Sequence, residues 1–193
     1  LKLSIIIPYY NTSERMFANT PAQIAATTLP VYEFTARLCE GTGISVTRLV
    51  TEEVSCLHDY SLNVKQVKAA EAAELIVISG AGLEEFMEDL LHDRQTIDAS
   101  AAIELLCPEE DHGHDHDHGH EGHHHESDPH IWLSPAHART MVTNICAGLS
   151  SLYPQHTERF SANEASLLAE LTALEVYGSD TLADLSCREM ITF

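Results

Sequence analysis

From Gln23 onward, short apolar runs alternate with stretches in which apolar residues recur every three or four positions. Runs of the first kind are predicted as buried strands and stretches of the second kind as amphipathic helices. A first strand falls over Ile24 to Thr28, and a short helix over Val31 to Cys39 closes at Gly41. Ile44 to Val50 is the second strand, followed by the segment SCLHDYSL, Ser55 to Leu62. Asn63 with Gln66 three residues later has the form of a capping box and opens a helix expected to carry Val64, Val67 and Ala70 inward. Leu75 to Ser79 is a third strand, Gly80-Ala81-Gly82 a tight turn into a helix over Leu83 to Leu91, and Thr96 to Asp98 a fourth, short strand. Met141, Ile145, Leu149 and Leu152 give a helix from about Ala136 that Pro154 ends. A second stripe, Phe160, Leu167, Leu171, Leu174, Leu182 and Leu185, implies roughly thirty helical residues, on the order of 45 Å, with a bend or break expected at Gly178. The pattern is that of the α/β class: a parallel-sheet lobe with helices on both faces, followed by a long linker helix.

This divides the chain into an N-terminal extension over residues 1–21, a lobe over 22–153, a linker helix over 154–186 and, over 187–193, the start of a second lobe. Met190-Ile191-Thr192-Phe193 has the shape of a strand that has only begun, so the polypeptide is expected to continue and the rest of the second lobe to be missing here. Leu3 to Thr12, LSIIIPYYNT, is a strand followed by a turn and resembles the opening strand of family 2 glycosyltransferases. Such an enzyme holds a metal–nucleotide complex on a carboxylate pair after a strand. The only Asp-x-Asp in this chain, Asp115 and Asp117, lies in a histidine-rich tract instead.

That tract interrupts the lobe. Glu109 to Leu133 reads EEDHGHDHDHGHEGHHHESDPHIWL and carries nine of the thirteen histidines. Neutral imidazole is a ligand for zinc and other borderline ions, and carboxylates add oxygen ligands, so the interleaving with glycine describes a multidentate chelating loop. Asp111 to Ser127 offers almost no apolar side chain to offset the entropy of ordering, and a mobile loop over 109–127 is expected. The tract ends at Asp128-Pro129-His130-Ile131-Trp132-Leu133, where proline and apolar side chains return. His130 is thereby set apart from its neighbours, because a ligand at the edge of packed structure can be held in fixed geometry.

A formal net charge of −20 disfavours nucleic acid and anionic membranes as partners and favours cations. Eight acidic residues and no Lys or Arg fall between Glu109 and Asp128. The five cysteines form no Cys-x-x-Cys pair. A bridge between Cys56 and Cys107 would tie down both sides of a site, with buried free thiols and thiolate ligation as the alternatives. No stretch is long enough to span a bilayer, and the run Leu3 to Ile7, broken by Pro8, is too short for a signal-peptide core, so no export signal is recognised in the sequence. The Gly80–Gly82 turn lacks the third glycine of a dinucleotide fingerprint, and Glu85 in its place would oppose a pyrophosphate. No nucleophile is paired with a base in a recognisable motif, so catalysis is not expected.

Taken in order, HDYSL at His58 to Leu62, GAGLEEFMEDLL at Gly80 to Leu91, the histidine-rich loop, DPHIWLSP at Asp128 to Pro135 and the long helix resemble the zinc, or more broadly manganese or zinc, solute-binding proteins of bacterial ABC importers, the ZnuA-like group. The likeness runs from about Gln23 to Phe193. It implies two α/β lobes joined by one rigid helix, with the metal between them. It also implies His58 and His130 as metal ligands, with Asp59 and Asp128 as partners that fix their tautomers. A third histidine would follow a strand like Met190 to Phe193. The function implied is an extracytoplasmic, non-enzymatic Zn2+ receptor, with Mn2+ as the alternative ion, acting as a monomer and delivering metal to a membrane ABC permease from the periplasm or from a lipid anchor. A buffering or chaperone protein that works through the histidine-rich loop alone is the competing reading, and a family 2 glycosyltransferase the remote one.

Overall fold

The computed structural model describes residues 24–51, 60–106 and 128–186. His58, Asp59, Cys56, Cys107, Cys187, the chelating tract, the N-terminal stretch and the last strand expected from the sequence lie outside the described residues.

Four parallel strands form one sheet in the order β2-β1-β3-β4: β1 at Ile24–Ala26, β2 at Val46–Arg48, β3 at Leu75–Ile78 and β4 at Thr96–Asp98. The register places Ala25 between Thr47 and Ile76. Each strand is shorter than its apolar run or matches it, because the ends of those runs pack as loop: Leu49 and Val50 are buried beyond β2, and each donates its N–H to a carbonyl at the end of β1.

Alternation along the two central strands feeds two separate cores, as a sheet covered on both faces requires. Ile24, Ala26, Leu75 and Val77 point to one side, against α1 (Leu29–Leu38), α4 (Pro135–Leu152) and α5 (Thr157–Leu182). Ala25 and Ile76 point to the other, against α2 (Val64–Ala72) and the segment around Met87 that leads into α3 (Glu88–Leu91).

Several helix expectations are corrected. The first helix begins at Leu29, two residues before Val31, because Pro30 is tolerated in a first turn. The capping box of Asn63 and Gln66 is formed, but the inward face of α2 is Gln66 and Ala70, whereas Val64 is 71% exposed. A first-turn position is not committed to the core by period alone. The helix expected over Leu83 to Leu91 is reduced to a 3-10 turn, Glu85–Met87, and α3, because Glu84 is drawn back into the turn that precedes it. The last long helix starts at Thr157, after a 3-10 turn over Pro154–His156, and runs through Gly178 without a break. No helix among the described residues is long and apolar enough to cross a membrane.

Candidate metal centre

The chain leaves the lobe after Leu106 and returns at Asp128, and these two points are joined: the Asp128 N–H donates to the Leu106 carbonyl at 3.0 Å. The tract is thus an excursion with closed ends. On its return the chain alternates. Pro129 and Ile131 are buried, Ile131 in the main core, and His130 between them is exposed. Downstream, Ser134 caps α4 by accepting the His137 N–H, with Pro135 in the first turn. Both sides of His130 are therefore anchored by packing and capping.

Asp128 Oδ1 accepts from the His130 backbone N–H at 2.9 Å and contacts its Nδ1 at 2.7 Å. A carboxylate accepts only, so Nδ1 carries the proton and the lone pair of a neutral ring lies on Nε2. The same backbone and side-chain hydrogen bonds hold the Asp128 carboxyl below the ordinary aspartate range. The ring is tilted against Trp132 at 5.2 Å between centroids. A fixed tautomer with its free nitrogen outward is what a metal-ligating histidine requires.

The structure does not gather other ligands around it. Among the described residues no group of three or more His, Cys, Asp or Glu side chains is placed to hold an ion. His92 is exposed beside Asp93, and His156 packs on Phe160 at 6.0 Å. Cys39 and Cys146 are buried free thiols, with burial pushing them up to about 12 and about 11, which removes both from thiolate ligation.

Sequence reasoning missed the polar centre of the sheet edge. Because all four strands are parallel, the loops that follow them share one edge, the edge where ligands bind in open α/β sheets. There Glu84, 5% exposed, accepts from Thr27 Oγ1 at 2.6 Å, Ser79 N at 2.7 Å and Gly80 N at 3.0 Å. Burial pushes its carboxyl above the ordinary glutamate value, against the pull of those three donors. Gly80 has φ +81°, and a Cβ there would collide with Asp98 Oδ1 and Ser100 Oγ, so the turn admits only glycine. Nothing in Glu84-Glu85 marks which carboxylate turns inward. The one signal in the sequence is the need of the Gly80 turn for an acceptor.

The profile of the family described as zinc-uptake complex component A, periplasmic (ZnuA), matches residues 24–193. The chain is 34% identical over 185 residues to the zinc-binding lipoprotein AdcA of Streptococcus pneumoniae, covering 93% of this chain and 36% of that protein. It is 31% identical to a putative metal-binding protein of Treponema pallidum, over 90% of this chain and 59% of that one. Zn(II)-bound AdcA from Streptococcus pneumoniae superposes with a TM-score of 0.67 at 31% identity, over 83% of this chain and 32% of that chain. A crystal structure of ZnuA superposes with a TM-score of 0.72 at 29% identity, over 89% and 64%. The chain thus spans about a third of the length of AdcA and under two thirds of ZnuA. With a match that takes in all of the described fold, from β1 through α5, the chain belongs to the ZnuA family, zinc-uptake complex component A, periplasmic.

Proposed function

We propose that the chain is the metal-capturing lobe and linker helix of an extracytoplasmic, non-enzymatic zinc receptor, which binds the ion as cargo and passes it to a membrane ABC permease. The observation that carries this reading is His130, whose Nδ1 is engaged by Asp128 and whose Nε2 is left outward between two buried residues. His58, on the segment after β2, is the second ligand in this reading. β2 and β4 are the two outer strands, about 14 Å apart at roughly 4.8 Å per strand spacing, so the segments that follow them converge over the ends of β1 and β3 to share one ion. Zinc is favoured over manganese because imidazole suits the softer ion. The receptor acts as a monomer, at the outer face of the cytoplasmic membrane or in the periplasm, with the lobe over residues 22–153 and the linker helix over 154–186.

The competing reading places all binding in the tract. Calorimetric titration with zinc separates the two: His130→Ala and His58→Ala are expected to remove the tightest event and keep the weak, multiple ones, whereas deletion of residues 111–127 does the reverse. If the deletion alone abolishes every binding event, the chain is a buffer and the receptor reading fails.

A further inference from the structure

The chain between Leu49 and Tyr60 carries His58, and both feet of that segment meet one side chain. Gln66, in the first turn of α2, is 6% exposed. Its Nε2 donates to the Leu49 carbonyl at 2.9 Å, on the foot leaving β2, and to the Tyr60 hydroxyl at 2.6 Å, on the returning foot. Its Oε1 accepts from the Asn63 N–H at 2.8 Å. That third bond fixes the amide's orientation, since exchanging O and N would set an NH2 against a backbone N–H. The two feet are themselves anchored. Leu49 N donates to the Ala26 carbonyl at 2.8 Å, and the Tyr60 ring meets Phe86 edge-on at 5.4 Å. One foot is thus tied to the sheet and the other to the turn after β3, with the amide of Gln66 as the link.

We propose that Gln66 is a positioning residue for metal capture: its side-chain amide holds the two feet of the His58 segment together, so that His58 meets the ion from a fixed base. The inference rests on the reading of His58 as a ligand. Starting a helix requires only the acceptor Oε1, which completes the capping box. The two bonds from Nε2 add nothing to the start of α2. They close the segment instead, and a ligand whose supporting contacts are fixed loses less entropy on coordination.

Two substitutions cut the link at opposite ends. Gln66→Glu keeps the acceptor for Asn63 and can still meet the Tyr60 hydroxyl, but cannot donate to Leu49. Tyr60→Phe keeps the Leu49 bond and the contact with Phe86, but offers Gln66 no hydroxyl. Zinc is titrated into the full 193-residue chain while the ring resonances of His58 and of the tract histidines are followed separately by NMR, with circular dichroism as the check on folding. Both variants are expected to fold and to need on the order of tenfold more zinc for half-saturation at His58, with the response of the tract unchanged. An unchanged midpoint at His58 in either variant overturns the proposal and leaves the ligand reading standing. A His58 ring that ignores zinc in the unsubstituted chain overturns the ligand reading and this proposal with it. Should Gln66→Glu not fold, Tyr60→Phe alone decides in the same terms.

Discussion

His130 and Glu84 are opposite cases of how a single side chain is fixed. For His130 the neighbours in sequence are enough: Asp128 two residues before sets the tautomer, and Pro129 and Ile131 hold the backbone. Those determinants are adjacent in the chain, so the order of residues alone sets His130 apart. Asp128→Ala is expected to weaken zinc binding at His130 by about 10- to 100-fold, the usual loss when a partner of a ligating histidine is removed, with thermal stability nearly unchanged because both groups are exposed. A zinc titration giving wild-type affinity would remove Asp128 from that role. For Glu84 the determinants are Thr27, Ser79 and Gly80, brought together only by the pairing of β1 with β3. Glu84→Ala leaves two backbone N–H groups and a hydroxyl without their acceptor and is expected to cost roughly 3 kcal/mol in urea unfolding. Because burial raises its folded value above the unfolded one, Glu84 binds its proton more tightly in the folded state. Its contribution to stability is then greatest below the ordinary glutamate value of about 4.3 and falls as pH rises from there through the raised value. Glu84→Gln keeps an acceptor for Thr27 and Ser79 and cannot ionise, so its stability relative to wild type should improve between about pH 4 and pH 7, to an order of magnitude set by that window. A difference that stays constant with pH would show that Glu84 is ionised throughout.

At the scale of elements, period and caps are legible in the sequence and contact faces are not. The register of α4 follows from Met141, Ile145 and Leu149, all of which are fully buried. For α5 the same reasoning marks a continuous stripe, yet only Phe160 and Leu167 are buried while Leu174, Leu182 and Leu185 are 44–51% exposed. Periodicity gives the side of a helix that is apolar but not how far along its length a neighbour extends. The N-terminal part of α5 is held by more than packing. Asn163 Nδ2 donates to the Leu38 and Glu40 carbonyls at the end of α1, Arg37 pairs with Glu170, and Arg139 with Glu175. Beyond that point the helix has no such ties among the described contacts of α5, and Gly178 lies in it with open space where a Cβ would be. Gly178→Ala is expected to stabilise the C-terminal half of α5 by about 0.8–1.0 kcal/mol, since the backbone there is already helical. Amide exchange around Asp180 measures it, and slower exchange is the expected result. Faster exchange would mean that the residue serves a bend after all.

At the scale of the molecule, a sheet edge with one well-presented imidazole stands next to a half-exposed helix face. The alternation of strands and helices is enough to give the parallel sheet with both faces covered, because that pattern has few other solutions. The complete ligand set is not legible, and nothing within the described residues supplies it. Two neutral imidazoles, from His58 and His130, leave a tetrahedral zinc ion two ligands short, and water fills those positions. In such a site the ion remains open to solvent and to exchange. A polypeptide that continues past Phe193 with further sequence of the ZnuA family is expected to add ligand, to exclude that water and to cover Leu174, Val176 and Tyr177, closing around the ion as two-lobed binding proteins do. It should therefore bind zinc far more tightly than the 193-residue chain, with amide exchange over the C-terminal half of α5 slowed in the same samples. The comparison is made with residues 111–127 deleted from both lengths, because protonation of the tract histidines below about pH 6.5 would otherwise add a pH-dependent background. Equal zinc affinity in the two lengths would mean that residues 1–193 already hold a complete site, with ligands beyond His58 and His130 to be sought at Cys56 and Cys107.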